Sequence, residues 1–289
     1  MENESTGRKM MEGHLLFYGE GHDGGIPGLT LKDQVNLDKD HFTLPPRSTV
    51  PELWGTLPRP QADSCIGYVT ATMRRHDPPL MKPFSREEDE IAEWYSVVHH
   101  SDTHFPILTA QWKAAISGDH QIDARLQAAR DGAPLVNYMH RFYLYAYPDR
   151  DPSQLETCHV SLTTEMISSY LRLRWREVDS VDDEVYYRME PIESAHLHKL
   201  RDVAATRKVL HNYIDYTIGE RLKSIKAALC PFWQNRPARR ARRRQSQSST
   251  TASSLNLQFD MPMTPSTSSR GEENASATKR LKRTLNNGM

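Results

Sequence analysis

The residues best equipped for chemistry are Asp63, Gln111, Lys113 and Gln127. Gln111 and Lys113 close the run 105–113, Phe-Pro-Ile-Leu-Thr-Ala-Gln-Trp-Lys, whose residues from Ile107 on mix apolar and β-prone types over a strand's length. Being two apart, they point to the same side of that strand. Asp63 opens a second β-prone stretch ending at Thr70, and Gln127 lies on a long helical pattern that begins near Asp119. If these elements converge, carboxylate and amide oxygens can hold a hard cation that polarises a phosphate and its attacking water. A neighbouring lysine can orient that water or offset charge on the phosphorane, which is the equipment of a metal-dependent phosphodiesterase. The same side chains also fit a plainer arrangement: Asp63 and Lys113 as a buried pair and Gln111 bonded to backbone, fixing strand register without chemistry.

The elements that must position them can be read from periodicity. After Asp119 the residues Ile122, Leu126, Ala129, Ala133, Val136 and Tyr143, with His140, recur at three- and four-residue steps and predict a helix with one apolar face. Gly132 and Pro134 interrupt it, so a kink or two abutting helices are expected there, while Ala129, Gly132 and Ala133 are small enough for close packing on the strand. Upstream, Ser85 and Glu88 have capping-box spacing and open a predicted helix over 86–99, with Glu87, Glu88, Asp89, Glu90 and Glu93 on an exposed acidic side. The run 99–104, His-His-Ser-Asp-Thr-His, falls at the end of that helix, where the helix dipole favours histidines.

Three β segments follow, over 158–164, 169–178 and 184–192, the last two forming a hairpin. In the middle one Leu171, Leu173 and Trp175 alternate with Tyr170, Arg172, Arg174 and Arg176. The three arginines make a basic row that can track a phosphate backbone, or a solvated face paired with Glu190 or Glu184 across the hairpin. A last helix is expected over 195–229, with Leu210, Ile214, Ile218, Leu222, Ile225 and Leu229 on its apolar stripe and Pro231 stopping it.

Net charge is zero, but unevenly distributed: from Arg236 onward the chain has 11 basic and 3 acidic residues, leaving 26 basic and 34 acidic in the body. Arg239, Arg240, Arg242, Arg243 and Arg244, then Lys279, Arg280, Lys282 and Arg283, form solvated clusters that suit a nuclear import receptor or a polyanion such as DNA or RNA. The expectation is a nuclear protein whose 234–289 tail is disordered, basic and rich in Ser and Thr, preceded by a folded body over 51–233 and a mostly irregular arm over 1–50. Three distant cysteines without a Cys-x-x-Cys pair argue against a disulfide framework or zinc ribbon. No apolar run is long enough for a membrane span, so the expected setting is intracellular, with no membrane partner.

The order of Asp63, then Gln111-Trp112-Lys113, then Gln127 on a helix resembles the PD-(D/E)XK superfamily of restriction-endonuclease-like nucleases. The phrases Pro58 to Asp63 with Ile66-Gly67-Tyr68, Gln127 to Ala133, and Ile214-Asp215-Tyr216 with Gly219 to Leu222 resemble, more closely, a fungal domain family of unknown function with a nuclease-like fold. The resemblance covers about 53–229 and implies an α/β body, a mixed central sheet flanked by helices. It further implies Asp63 and Gln111 as ligands of Mg²⁺, Lys113 as the catalytic lysine and Gln127 as a residue lining the site. Gln111 is neutral where the pattern has Glu or Asp, which removes a negative charge facing the cation. Two readings therefore stand: a nuclear nucleic-acid-associated domain that cleaves phosphodiesters or is a non-cleaving relative, and a protein-interaction module whose tail sets its location.

Overall fold

Six strands form one sheet in sequence order: β1 (Leu29–Asn36), β2 (Gln61–Val69), β3 (Thr103–Trp112), β4 (His159–Thr164), β5 (Ser168–Val178) and β6 (Val185–His196). The computed structural model describes residues 26–38, 41, 60–70, 82–98, 103–113, 121–165 and 167–235, all within one compact unit, Met1–Arg240. The basic clusters of the tail, the expected disorder of both ends and residues 99–102 lie outside them.

Every neighbouring pair in the sheet is antiparallel except β3 with β4, which run parallel. Antiparallel neighbours need only turns, whereas a parallel pair needs a crossover, and the helix α2 (Gln121–Ala146) supplies it. The α/β class, the mixed sheet, the three late strands and their hairpin are as the sequence predicts. One strand is not: β1 falls in the stretch expected to be an irregular arm, and it pairs along β2 at the sheet edge. It follows Gly28, whose φ of 81° lies where glycine alone is unstrained.

β3 and β4 are buried at every residue, so side chains pointing both ways are covered and the sheet is flanked on both faces. The covering helices are α1 (Arg86–Trp94), α2, the short α3 (Gln154–Thr157), α4 (Leu200–Tyr216) and α5 (Leu222–Gln234), the last two joined by a π-helical turn, Thr217–Arg221. A ring cluster ties them to β3. Tyr95 stacks on Tyr138 with centroids 4.8 Å apart, and Phe142 touches both Phe105, at 5.0 Å, and Phe232, at 5.2 Å. Each such ring contributes about 1.5–3 kcal/mol by burial, so this cluster anchors the helical layer.

Local chemistry sets where these helices start and stop. The capping box at α1 is present: Glu88 N–H donates to Ser85 Oγ (3.2 Å), and Ser85 N–H to Glu88 Oε2 (2.8 Å). The helix ends at Trp94, short of the expected 99, because Ser96 captures Val98 through both its hydroxyl and that residue's N–H, and Val98 bridges to Leu37. Asp89 is not on the exposed acidic side but buried. Its Oδ1 lies 2.9 Å from Nε2 of buried His104, tying α1 to the start of β3.

Two expectations for the long helices are corrected. α2 is a single helix of 26 residues that runs through Pro134, and in its first half the buried positions are Ala124, Ala128, Asp131 and Gly132. Ile122 and Leu126, expected inside, are exposed. Small residues let the helix approach the sheet closely, and what they approach is a row of polar side chains rather than an apolar surface. The final helical region starts at Leu200, because β6 extends to His196, and it runs through Pro231 to Gln234. Its inward stripe is Leu210, Ile214, Thr217, Arg221, Ile225 and Phe232, leaving Ile218 partly exposed.

Candidate functional site

β2 and β3 are neighbours, and their register pairs Ser64 with Ala110 and Cys65 with Thr109. One residue further, the same register sets Asp63 beside Gln111, on the side of the sheet that Thr109 shares. Lys113, two beyond Gln111, continues that side at the strand's end. Asp63 and Lys113 are half-buried, whereas Gln111 is fully buried. The topology thus brings three of the four expected side chains to adjoining positions on two central strands.

Their bonds then fix what each can do. Oδ2 of Asp63 accepts the backbone N–H of Trp112 at 2.8 Å. Nε2 of Gln111 donates to the Gln61 carbonyl at 3.1 Å and to Oδ2 of Asp131 at 2.5 Å. Trp112 points the other way, and its indole N–H donates to Ser64 Oγ at 2.8 Å. Lys113 N–H donates to the Thr164 carbonyl, which holds the end of β3 against β4. Gln127, half-buried, stands four residues before Asp131 and so on the same helical face, one turn toward the start of α2.

Asp131 is the acid that sequence reading passed over. It is fully buried on α2, and desolvation pushes its carboxyl above the usual carboxylate range, against the opposing pull of Arg130, Gln111 and Arg174. Nε of Arg130 lies 3.1 Å from Oδ1. The signal lay in the sequence as a carboxylate four residues after Gln127, yet a charged residue on an exposed face gives the same spacing. Glu93, on the acidic side of α1, is exposed as expected.

The arginine row is not a solvated face. Arg172 and Arg174 are buried, Arg174 to 2 % exposure, and only Arg176 is half-exposed. The register sets Arg174 opposite Met189, Arg172 opposite Pro191 and Arg176 opposite Tyr187, so neither Glu184 nor Glu190 faces them. Arg172 donates to Thr163 Oγ1. Arg174 donates to Ser161 Oγ (3.2 Å), to the Ala129 carbonyl (3.3 Å) and to Met189 Sδ. A Cβ on Gly132 would collide with the Arg174 side chain, so the helix glycine is what lets the guanidinium lie beneath α2. With its donors turned inward, Arg174 holds helix to sheet and does not present itself to a phosphate backbone.

A hard cation finds a poor donor set here. Asp63 gives one carboxylate with an oxygen on a backbone N–H, and Gln111 contributes a neutral amide turned toward Asp131. Among the described residues no group of three or more His, Cys, Asp or Glu side chains could hold a metal ion. Nor is any helix among them long and apolar enough to cross a membrane. Cys65 and Cys158 are buried and Cys230 is exposed, and burial pushes the Cys65 thiol up to about 12, which makes it a poor nucleophile.

No curated protein and no solved structure matches the chain. A family model described as a domain of unknown function, DUF7924, matches residues 30–229, the span that starts in β1, contains Asp63, Gln111, Lys113, Gln127 and Asp131, and ends in α5. The chain belongs to that family.

Proposed function

We propose that the domain is a nuclease-like, nucleic-acid-associated module of the PD-(D/E)XK type that binds DNA or RNA without cutting it, in the nucleus. The nuclease-like part rests on topology. The strand with Asp63, the neighbouring strand with Gln111 and Lys113, and the crossover helix with Gln127 stand in the order and adjacency that such a site needs. Family membership is compatible with this reading and carries no activity of its own.

The non-cleaving part rests on one observation, the commitment of the Gln111 amide to buried Asp131. A Mg²⁺ ion demands charged oxygens in near-octahedral order, and a site whose second ligand is neutral and drawn into the protein does not meet that demand. Lys113 and Arg176 are half-exposed cations on the same side of the sheet, the kind of group that contacts phosphate oxygens. The basic clusters 239–244 and 279–283 add charge and a nuclear address.

The test uses the full chain with labelled DNA and RNA, with and without Mg²⁺ or Mn²⁺, comparing wild type with Lys113→Ala and Asp63→Ala. The expected result is salt-dependent retention of nucleic acid weakened by Lys113→Ala, with no cleavage in any lane. Metal-dependent cleavage lost in both variants would overturn the non-cleaving reading in favour of an active nuclease. Absence of both cleavage and retention would leave the protein-interaction module as the better description.

A further inference from the structure

Three helices end at one corner of the domain without a cation in their closing turns. α1 ends at Trp94, α2 at Ala146 and α5 at Gln234, and none has a basic residue in its last turn. Contacts bring the three ends together. The Trp94 and Trp233 rings lie edge to face with centroids 6.3 Å apart, and Tyr145 meets Phe232 at 6.3 Å. Asn235 Nδ2 donates to the Tyr145 and Ala146 carbonyls at 3.1 and 3.3 Å. Each helix C-terminus carries about half a negative elementary charge, so the corner attracts cations before any acidic side chain is counted.

α1 adds carboxylates to it. Glu87, Glu90 and Trp94, at steps of three and four, share one face, with Glu93 beside them, and all three glutamates are exposed. Arg86 answers Glu90 at 3.4 Å and Lys226 answers half-buried Glu88 at 3.0 Å. Among the described residues Glu87 and Glu93 have no basic partner. Trp233 is 40 % exposed, so an indole edge adjoins these acids. Carboxylates around an accessible indole suit an arginine-rich segment, whose guanidinium groups can stack on the ring and pair with the acids at once.

The chain carries such a segment within reach. Asn235, pinned to the end of α2, is followed by Arg236, Arg239 and Arg240. Four residues of extended chain span ~13 Å, and the axis of α1 from Trp94 back to Glu87 measures about 10 Å. Arg239 and Arg240 can therefore meet both unanswered acids. A short tether also presents them at a roughly millimolar effective concentration, so individually weak surface pairs suffice, and any outside basic peptide must compete with that.

We propose that the exposed face of α1, with the Trp94 and Trp233 edge, is a docking surface for the chain's own Arg236, Arg239 and Arg240. A docked segment is withheld from an import receptor or a polyanion. That consequence rests on the nuclear, nucleic-acid reading; the docking itself does not.

The experiment is limited trypsin digestion of the full chain with no nucleic acid present, so its outcome is separate from that of the nucleic-acid reading. Mass spectrometry compares cleavage after Arg239 and Arg240 with cleavage after Arg280, which serves as the internal reference. In low salt the first two bonds should be cut about three- to tenfold more slowly, the protection that a few surface ion pairs provide. Glu87→Gln combined with Glu93→Gln should remove the protection, and so should ~1 M sodium chloride, where the screening length is about 3 Å. The salt comparison uses wild-type protein and stands even if the double variant misfolds. Equal cleavage of the two clusters in wild type, or protection that the double variant or salt leaves unchanged, would overturn the proposal. Protection that fades on dilution would seat the segment of a second copy on this surface and overturn the intramolecular docking.

Discussion

Two arginines are buried in this domain to about the same degree, and their surroundings differ in nearly every other respect. Arg174, on β5 under α2, has donors directed at Ser161, Ala129 and Met189 and the carboxylate of Asp131 near enough to attract it. Arg221, on the π-helical turn, has one carbonyl, one thiol, one distant hydroxyl and two buried donors without a partner. Burial pushes the Arg174 guanidinium down to about 9, only partly opposed by Asp131. The difference teaches that burial alone does not define a role: a buried charge whose valences are met by its own chain is an internal tie, and one whose valences are unmet is a cost carried by the fold.

The comparison can be broken most directly by replacing each arginine with methionine and measuring stability by urea denaturation. Arg174→Met should lose about 3–5 kcal/mol, because it strips a buried hydroxyl and a carbonyl of their donor and takes away a positive charge that acts on buried Asp131. Arg221→Met should be near neutral or stabilising, since it removes a buried charge with two donors unmet. Equal losses in the two variants would erase the distinction. Next in size, Gly132→Ala should cost about 1–3 kcal/mol, because the added methyl strikes the Arg174 side chain, which must shift off its hydrogen bonds to make room. Combined with Arg174→Met, that loss should shrink, and additive losses would show that the glycine serves something else.

His159 sharpens the comparison because it lies between the two regions: it pairs with Arg174 across β4 and β5, and its neighbour Cys158 holds Arg221. Burial, then Arg174, then Arg221, hold its imidazole well below the usual range. The folded state therefore keeps His159 neutral while the unfolded chain takes up a proton below about pH 6.5, so its contribution is full above that value and lost as pH falls. Urea midpoints measured downward from pH 6.5 should show a loss approaching about 1.4 kcal/mol per pH unit, flattened in His159→Gln. A slope that His159→Gln leaves unchanged would place the titrating group elsewhere. Asp131 acts in the opposite sense. Its raised folded value means the native state holds the proton longer than the unfolded chain, so stability is greatest below the ordinary carboxylate range and declines as pH rises through the folded value. Asp131→Asn should remove that decline, which a pH series on the two proteins reads directly.

Much of the fold was legible one element at a time. The alternation in 169–178, the capping box at Ser85 and the β-prone runs ending at Thr70 and Lys113 each name a local conformation, and all formed where expected. The adjacency of Asp63 and Gln111 was legible only as a resemblance, since nothing local in either strand says that they pair. Misreadings cluster where an apolar pattern was taken to mean burial. Ile122 and Leu126 face out while Ala128, Asp131 and Gly132 face in, and Leu173 and Trp175 are only half-buried while Arg172 and Arg174 are covered.

By itself the sequence determined most of the strands and helices other than β1, where α1 begins and how charge divides between body and tail, because those properties follow from short-range sterics, capping and composition. Tertiary structure alone decided which face of α2 and of β5 turns inward, that Gln111 meets Asp131, and that Arg221 is buried with two donors unmet. Those outcomes depend on which surface lies opposite, and a polar layer between helix and sheet is stable only if its hydrogen bonds close, a condition set by partners far away in the chain.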